Sequence, residues 1–225
     1  MKKWMVSVLV VALSIGMFVC QGWLMSREGF ETVRSTKEEG FWNVVTTERV
    51  PRQDADELLA ADGKLFLYYE SLGYVNVYDT DGAFLYAYQV ETIGNGVGGI
   101  GYQNGVFYVD GKSGIYGFSE KKLIFQSDRR KDAEYQRVWN IINQPNPVDV
   151  DGYTYYYNAE AGQITRAMPG QPLETVVRLP VKDGNVDALA FANIALWAMF
   201  ALWFKDDGKL PGWAQAYHER KKRLH

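Results

Sequence analysis

The sequence is poor in cysteine and histidine, the two residue types on which much catalytic and metal chemistry depends. Its 225 residues include one cysteine, Cys20, and two histidines, His218 and His225. A single cysteine excludes a disulfide framework and a cysteine-rich metal site, because each needs at least two sulfurs. Between Met25 and Asp187 neither residue type occurs, which excludes a Ser-His-Asp triad, a cysteine nucleophile and the usual zinc ligands there. We therefore expect no metal and no cofactor.

A surplus of basic residues is also missing. The formal net charge is −3 and the sequence pI is near 5.5, whereas nucleic acid binding needs a concentrated basic face. Nucleic acid is thus not an expected partner. A hydrophobic content of 47% with 15% aromatic residues excludes a disordered chain. The mean hydropathy of −0.24 is that of an ordinary soluble protein, but it averages over very different segments.

Charge is absent from the 21 residues between Trp4 and Leu24. As a helix rising about 1.5 Å per residue, this run would be roughly 31 Å long, which is enough to cross a bilayer. A cleaved signal peptide is one alternative, but its apolar part is usually about 7 to 15 residues and ends in a small-residue cleavage site. A lipid anchor on Cys20 is another, although Phe18 and Val19 stand where bacterial lipoprotein signals have small residues. The sequence favours an uncleaved membrane helix.

A second uncharged run extends over the 17 residues from Ala188 to Phe204, near the lower limit for spanning a bilayer. A core helix of a small soluble domain is normally amphipathic, whereas this run is apolar on all sides except at Asn193. The pattern favours a second transmembrane helix over a buried core helix. Four tryptophans are predicted to mark the membrane interface, where indole rings are enriched: Trp4, Trp23, Trp203 and Trp213.

Charges at the two ends predict the orientation. The residues before the first run carry +2, those after the second run +3, and Met25 to Asp187 carries −8. By the positive-inside rule, both ends stay in the cytoplasm and the acidic middle is translocated. We therefore expect a two-pass protein of the cell membrane, with the bilayer as a partner. Its predicted segments are a cytoplasmic N-terminus (1–3), a first membrane helix (4–24), a stalk and leading strand (25–57), a β-repeat domain (58–180), a linker (181–187), a second membrane helix (188–204) and a basic cytoplasmic tail (205–225).

The middle region contains a repeat of aromatic-rich extended segments. Gly63, Gly105 and Gly152 each follow Asp or Asn and open such a segment, at spacings of 42 and 47 residues. Asp-Gly and Asn-Gly favour type I′ turns, because both central positions of this turn need positive φ. Further extended runs follow, so the pattern predicts three antiparallel meanders of about 40 residues, the period of a propeller blade. Residues 41–50 are expected to add a strand or two, and residues 128–143 a short helix.

The stretch Leu67–Leu85 resembles the repeat of NHL-type and TolB-like β-propellers: an extended run, a short loop, an apolar strand, an Asp-x-x-Gly-type turn and a Phe-Leu strand. The resemblance covers about residues 58–180 and implies a sheet-repeat fold without a particular activity. Closed propellers typically have about 4 to 8 blades, and three units are evident here. We therefore expect an all-β extracytoplasmic domain of antiparallel meanders, propeller-like but incomplete, flanked by two transmembrane α-helices. Either the ring is incomplete with protected edges, or other copies of the chain or another protein complete it.

Tyrosine is abundant in the middle region, which holds 14 of the 15 tyrosines. Cross-strand packing is the favoured interpretation, and a ligand-binding surface is the alternative. The residues predicted to contact a partner on that alternative are Tyr68, Tyr74, Tyr108, Tyr116, Tyr155 and Tyr157.

Three short patterns match known sites but have plainer explanations. Gly96–Gly101 reads G-x-G-x-x-G, yet no helix is predicted after it to bind a phosphate, so a crossing between units is favoured over nucleotide binding. Asp79–Gly82 resembles the start of a calcium loop without its later ligands, which favours a hairpin turn. Five acidic residues are candidates for the acid and base of a glycosidase, but solvated turn acids are the favoured interpretation: Asp54, Asp56, Glu57, Asp149 and Asp151.

These features predict a binding or scaffold module rather than an enzyme. We expect the β domain to engage a protein, peptide or glycan of a bacterial envelope through strand edges or tyrosine faces. The sequence has no Asn-x-Ser/Thr sequon, which is compatible with a prokaryotic source. The alternatives are a carboxylate-dependent enzyme acting on envelope polymers and a transmembrane sensor that passes an outside event to the basic tail.

Overall fold

A computed structural model describes residues 3–27, 31, 33–34, 37–92, 98–129, 133–182 and 184–206. Three α-helices occur in this part of the chain: α1 (Lys3–Arg27), α2 (Ala133–Ile142) and α3 (Gly184–Asp206). The chain divides into two compact units. Gly29–Val181, which we call the β domain, contains all the described strands, and the two long helices α1 and α3 belong to the other unit.

The β domain contains thirteen described strands in three antiparallel sheets. The strands are β1 (Trp42–Val45), β2 (Glu57–Ala61), β3 (Lys64–Tyr69), β4 (Tyr74–Asp79), β5 (Phe84–Val90), β6 (Ile100–Gln103), β7 (Val106–Asp110), β8 (Ile115–Ser119), β9 (Lys122–Gln126), β10 (Asp149–Val150), β11 (Tyr153–Asn158), β12 (Gln163–Ala167) and β13 (Glu174–Arg178). Sheet A has the order β1-β5-β4-β3-β2, sheet B the order β6-β7-β8-β9, and sheet C the order β10-β11-β12-β13.

The first hairpin of each sheet turns at the Asp-Gly or Asn-Gly pair that the sequence singled out. Asp62–Gly63 joins β2 to β3, Asn104–Gly105 joins β6 to β7, and Asp151–Gly152 joins β10 to β11. In all three pairs both residues have positive φ, between 51° and 80°. The prediction of three antiparallel meanders is confirmed, and each has four strands because one strand precedes the turn.

Sheet A gains a fifth strand from the segment before the first meander. β1 pairs with β5 in antiparallel register, from Trp42 opposite Val90 to Val45 opposite Ala87. Part of the predicted stalk also lies along the β domain. The Glu31 N–H donates to the Val50 carbonyl oxygen at 3.0 Å.

Sheet A lies between the other two sheets. On one face, Phe66 packs with Phe107 of sheet B in a hydrophobic core. On the other face, Leu67 belongs to a second core that includes Ile164 of sheet C. A strand packed on one face only would alternate apolar and polar residues. Burial on both faces therefore explains why the apolar run of β3 is uninterrupted.

Helix α2 covers the face of sheet B that points away from sheet A. Val138 and Ile142 are buried there against Tyr108 and Ile115, at the i, i+4 spacing of one helix face. The short helix predicted between the second and third units is thus confirmed. Because α2 occupies this face, sheet C packs against sheet A and not against sheet B, its predecessor along the chain.

The two long helices contact each other within their own unit. Within the described residues, one helix is long and apolar enough to span a membrane, at residues 6–24, and at this position it is either a membrane span or a signal sequence. The second predicted span, residues 188–204, is helical, but its apolar part, Asp187–Ala201, is shorter. A second spanning helix is not shown. Three of the predicted interface tryptophans, Trp4, Trp23 and Trp203, lie in these helices. Trp213 lies outside the described residues, and so does the rest of the tail from residue 207 onward.

Candidate functional site

The candidate site is a polar cavity where the first strands of the three meanders, β2, β6 and β10, come together. Strand β2 contacts both β6 and β10, and the Ala60 N–H donates to the Pro147 carbonyl oxygen at 2.7 Å. A cavity of about 510 Å³ lies between β2, the residues before β6 and the loop after α2. We call it the junction cavity. One carboxyl group, three amides and two glycines supply its polar lining: Glu57, Asn143, Gln144, Asn146, Gly98 and Gly99.

Glu57 is the ionisable group among the described residues that line the junction cavity. It is the first residue of β2, it is half-buried, and its Oε2 accepts a hydrogen bond from Asn146 Nδ2 at 2.9 Å. Burial raises the pKa of Glu57 above its ordinary value, although the Asn146 amide and a backbone contact at Ile100 act to lower it. Near neutral pH, a larger share of this carboxyl is therefore protonated than in an exposed glutamate.

Glycines just before and within β6 allow the end of α2 to pack closely beside the cavity. A Cβ at Gly99 would lie 2.7 Å from Ile142 Cγ2, and a Cβ at Gly101 would lie 3.2 Å from Ile142 Cα. Gly98 N–H donates to Glu70 Oε1 at 2.9 Å. This packing fits the interpretation of the G-x-G-x-x-G pattern as a crossing between units; its first two residues, 96 and 97, lie outside the described part of the chain.

Most carboxylates that the sequence offered as catalytic pairs have structural roles. Asp56 Oδ2 accepts a hydrogen bond from the Glu70 N–H at 2.7 Å. Asp149 accepts one from Thr154 Oγ1, and Asp151 occupies a positive-φ turn position at 54°. Of the acidic residues named from the sequence, Glu57 alone lines the junction cavity.

The Asp79–Gly82 segment forms the turn between β4 and β5. Asp79 Oδ1 accepts hydrogen bonds from the N–H groups of Asp81 and Ala83, at 3.0 and 2.8 Å. The hairpin-turn interpretation of this segment is confirmed. In the residues that the structure describes, no group of three or more His, Cys, Asp or Glu side chains is arranged to hold a metal ion.

Five of the six candidate tyrosines are buried between sheets or beneath α2: Tyr68, Tyr74, Tyr108, Tyr116 and Tyr155. Burial raises the pKa of Tyr74 to about 12. The sixth, Tyr157, is half-buried, and its hydroxyl oxygen accepts a hydrogen bond from the Ala55 N–H at 3.4 Å. Their burial supports the packing interpretation, and a contact role for them stays a prediction. Tyr156, which the sequence did not single out, is 51% exposed.

The three amides of the junction cavity were missed by sequence reasoning. Two of them, Gln144 and Asn146, lie in the Gln-Pro-Asn-Pro segment (residues 144–147) that directly follows the predicted short helix. The signal that would have found them is the concentration of amide side chains around two prolines, since prolines hold a loop in a defined path. These amides lie beside Glu57 because the chain before sheet C packs against sheet A. No local sequence pattern predicts that long-range packing.

Comparison of the sequence with known protein families and with curated proteins finds no match. The resemblance of the repeat to NHL-type and TolB-like propellers therefore stays a prediction, and function has to be argued from the residues of this chain.

Proposed function

We propose that this protein is a membrane-anchored binding protein whose β domain lies outside the cytoplasm and holds an uncharged, hydrogen-bonding group in the junction cavity. The observation that carries the proposal is the lining of that cavity, with one carboxyl and three amides. Amides both donate and accept hydrogen bonds, so they suit the hydroxyls of a glycan or the amides of a peptide. Both groups belong to the envelope ligands expected from the sequence.

The exposure of side chains on the two long helices supports membrane anchoring by both. The buried residues of these helices include polar Ser14 and Asn193, at 4% and 5% exposure. Large apolar side chains point outward instead, with 62–72% exposure: Phe18, Val19, Phe191 and Ile194. Keeping such surface in water costs about 25 cal/mol per Å², whereas lipid tails are as apolar as these side chains. We infer that α3 crosses the bilayer beside α1, with both chain ends in the cytoplasm.

The orientation predicts which sites a membrane-impermeant maleimide reaches in intact cells. In a Cys20→Ser background, a cysteine replacing Glu160, an exposed residue in the β11–β12 turn, should be labelled from outside. A cysteine replacing Gln215 in the tail should be labelled only after permeabilisation, because the tail carries the basic residues that stay inside. The Cys20→Ser protein is the unlabelled control. Labelling of residue 215 from outside, or of residue 160 only after permeabilisation, would contradict this orientation.

Ligand binding is tested with the full-length protein in detergent and two uncharged probes, N,N′-diacetylchitobiose for a glycan and acetyl-Ala-Ala-amide for a peptide. We expect one probe to bind. The double substitution of Gln144→Ala with Asn146→Ala should weaken binding about tenfold or more, since each hydrogen bond contributes about 0.5–1.5 kcal/mol. Calorimetry and saturation-transfer NMR measure the change. Gln103→Ala is the control because this glutamine is exposed at the end of β6. Binding of neither probe, or an equal loss in the control, would refute the proposal.

A carboxylate-dependent enzyme acting on envelope polymers is the second candidate, and the raised pKa of Glu57 favours it. A carboxyl group with a raised pKa is a better general acid toward a glycosidic oxygen than an exposed one, because a larger share of it is protonated. Glu57→Gln separates the two functions. A binding protein should keep its affinity for the probe within about threefold after this change, whereas an enzyme should lose about 100-fold or more in turnover of an envelope glycan.

A further inference from the structure

A second cavity of the β domain lies between the residues that precede β1 and the end of β9. Its volume is about 390 Å³, and it is lined by Glu39, Gly40, Ser113, Gln126, Ser127 and Asp128. We call it the acidic cavity. Two of these described lining residues carry a negative charge and none carries a positive one, so the cavity is electrostatically suited to a cation.

A buried acidic side chain lies behind the wall of this cavity. The Glu91 side chain is fully buried. Its Oε2 accepts a hydrogen bond from the Gly40 N–H at 3.0 Å, and its Oε1 accepts bonds from the Ser113 N–H at 2.7 Å and the Tyr116 hydroxyl at 2.8 Å. All three donors are uncharged. They fix the Glu91 side chain behind the cavity wall.

An unsatisfied hydroxyl group also belongs to this cavity. Ser127 is 3% exposed, and its Oγ has no hydrogen-bond partner in the described part of the chain. Buried side-chain oxygens in native structures almost always have a partner. Ser127 is thus an acceptor in the cavity wall that a ligand N–H group can satisfy, independently of the acidic residues.

The cavity lies at the end of an edge strand. Among the strands that the structure describes, β9 is the outermost of sheet B. Its last residue, Gln126, lines the cavity, and its central Ile124 is 55% exposed. The last strand of the first meander, β5, has β1 paired along its outer edge. The last strand of the second meander is β9. A strand from a partner protein would pair along β9 as β1 pairs along β5, in the way that extended peptides bind at sheet edges.

We propose that the acidic cavity binds the ammonium group of a lysine side chain, carried by an extended segment of a partner protein that pairs with β9. An ammonium group offers three N–H donors, and the Glu39 carboxylate and the Oγ of Ser127 are acceptors in the cavity wall. The guanidinium group of neighbouring Arg129 is already paired with Asp110. This site is separate from the junction cavity and takes a charged group, so it adds a second binding function to the proposed one.

The test uses the full-length protein in detergent and the peptide acetyl-Thr-Val-Lys-Val-Thr-amide, with norleucine in place of lysine as the matched uncharged peptide. We expect the lysine peptide to bind about tenfold more tightly or better, and its affinity to fall as salt rises from about 50 mM to about 500 mM, because surface charges are screened. Glu39→Gln and Ser127→Ala should each weaken binding of the lysine peptide about threefold or more, since each removes one hydrogen-bond acceptor. Calorimetry measures these affinities.

Two controls keep the result specific to this cavity. Glu120→Gln removes an exposed carboxylate just before β9 and should leave the affinity unchanged. Glu57→Gln should also leave it unchanged, so failure here is distinct from failure at the junction cavity. Equal affinity for the two peptides, or no binding of either, would overturn the proposal. Spermidine binding as tightly as the lysine peptide would overturn the strand pairing, because a free polyamine cannot extend a sheet.

Discussion

Replacing Phe107 with alanine is expected to lower the free energy of unfolding of the β domain by about 3–5 kcal/mol, the usual cost of truncating a buried phenylalanine. Phe107 is 2% exposed. Its ring stacks on Phe66 of sheet A with 4.4 Å between centroids and on Tyr88 with 5.3 Å. The truncation would leave a cavity between sheets A and B, whose backbones are held by their own ladders and cannot close onto it.

Urea denaturation of the full-length protein in detergent, followed by near-ultraviolet circular dichroism, measures this loss. Ile124→Ala is the matched control, since this side chain is 55% exposed on β9 of sheet B, and it should change stability by no more than about 0.5 kcal/mol. If the Phe107 variant lost no more than the control, sheets A and B would not be joined through this aromatic core.

The Arg129→Met variant is expected to lose about 2 kcal/mol or more of stability at neutral pH and clearly less in mild acid, because removing this partly exposed cation leaves the charge of a buried carboxylate uncompensated. That partner is Asp110, which is 1% exposed. Its carboxylate pairs with the Arg129 guanidinium and accepts a hydrogen bond from the Tyr135 hydroxyl at 3.4 Å.

The direction of the pH effect follows from the pKa of Asp110. Burial raises the pKa of this carboxyl from 3.8 to about 6, although Arg129 and Tyr135 act to lower it. The native state therefore binds this proton more readily than the unfolded chain, and the Asp110 contribution to stability falls as the pH rises from 3.8 to about 6. Without Arg129 the pKa should rise further, because the lowering effect of its charge is lost, and the cost of ionising Asp110 then extends to higher pH.

Unfolding measured at about pH 5 and about pH 7.5 tests this linkage. Arg129→Met should be closer to the unsubstituted protein at the lower pH, where Asp110 is protonated. Adding Asp110→Asn should remove most of that pH dependence, since no ionisable group then remains in the pair. Arg137→Met, which removes an exposed partner of Glu134 on α2, should leave stability unchanged. An equal loss at both pH values would show that Arg129 acts through packing and not through its charge.

Local sequence was enough to predict the three meanders of the β domain, their first hairpin turns and α2. The three turns at Asp62, Asn104 and Asp151 follow from a backbone requirement for positive φ that Asn, Asp and Gly meet most easily. The apolar face of α2 follows from helical spacing, and β3 shows by its unbroken apolar run that it is buried on both sides. Each of these signals lies within a few residues of the structure it determines.

The order of the layers and both cavities depend on contacts between distant parts of the chain. Sequence order would place sheet C beside sheet B, but α2 covers that face and sheet C packs against sheet A. Glu57 and Asn146, which meet in the junction cavity, are 89 residues apart, and Gly40 and Glu91, beside the acidic cavity, are 51 apart. Local patterns show which faces are apolar, but not which apolar faces pair, because hydrophobic burial is non-directional. Tertiary packing determines which faces pair, and it thereby brings together the polar residues that line the two cavities.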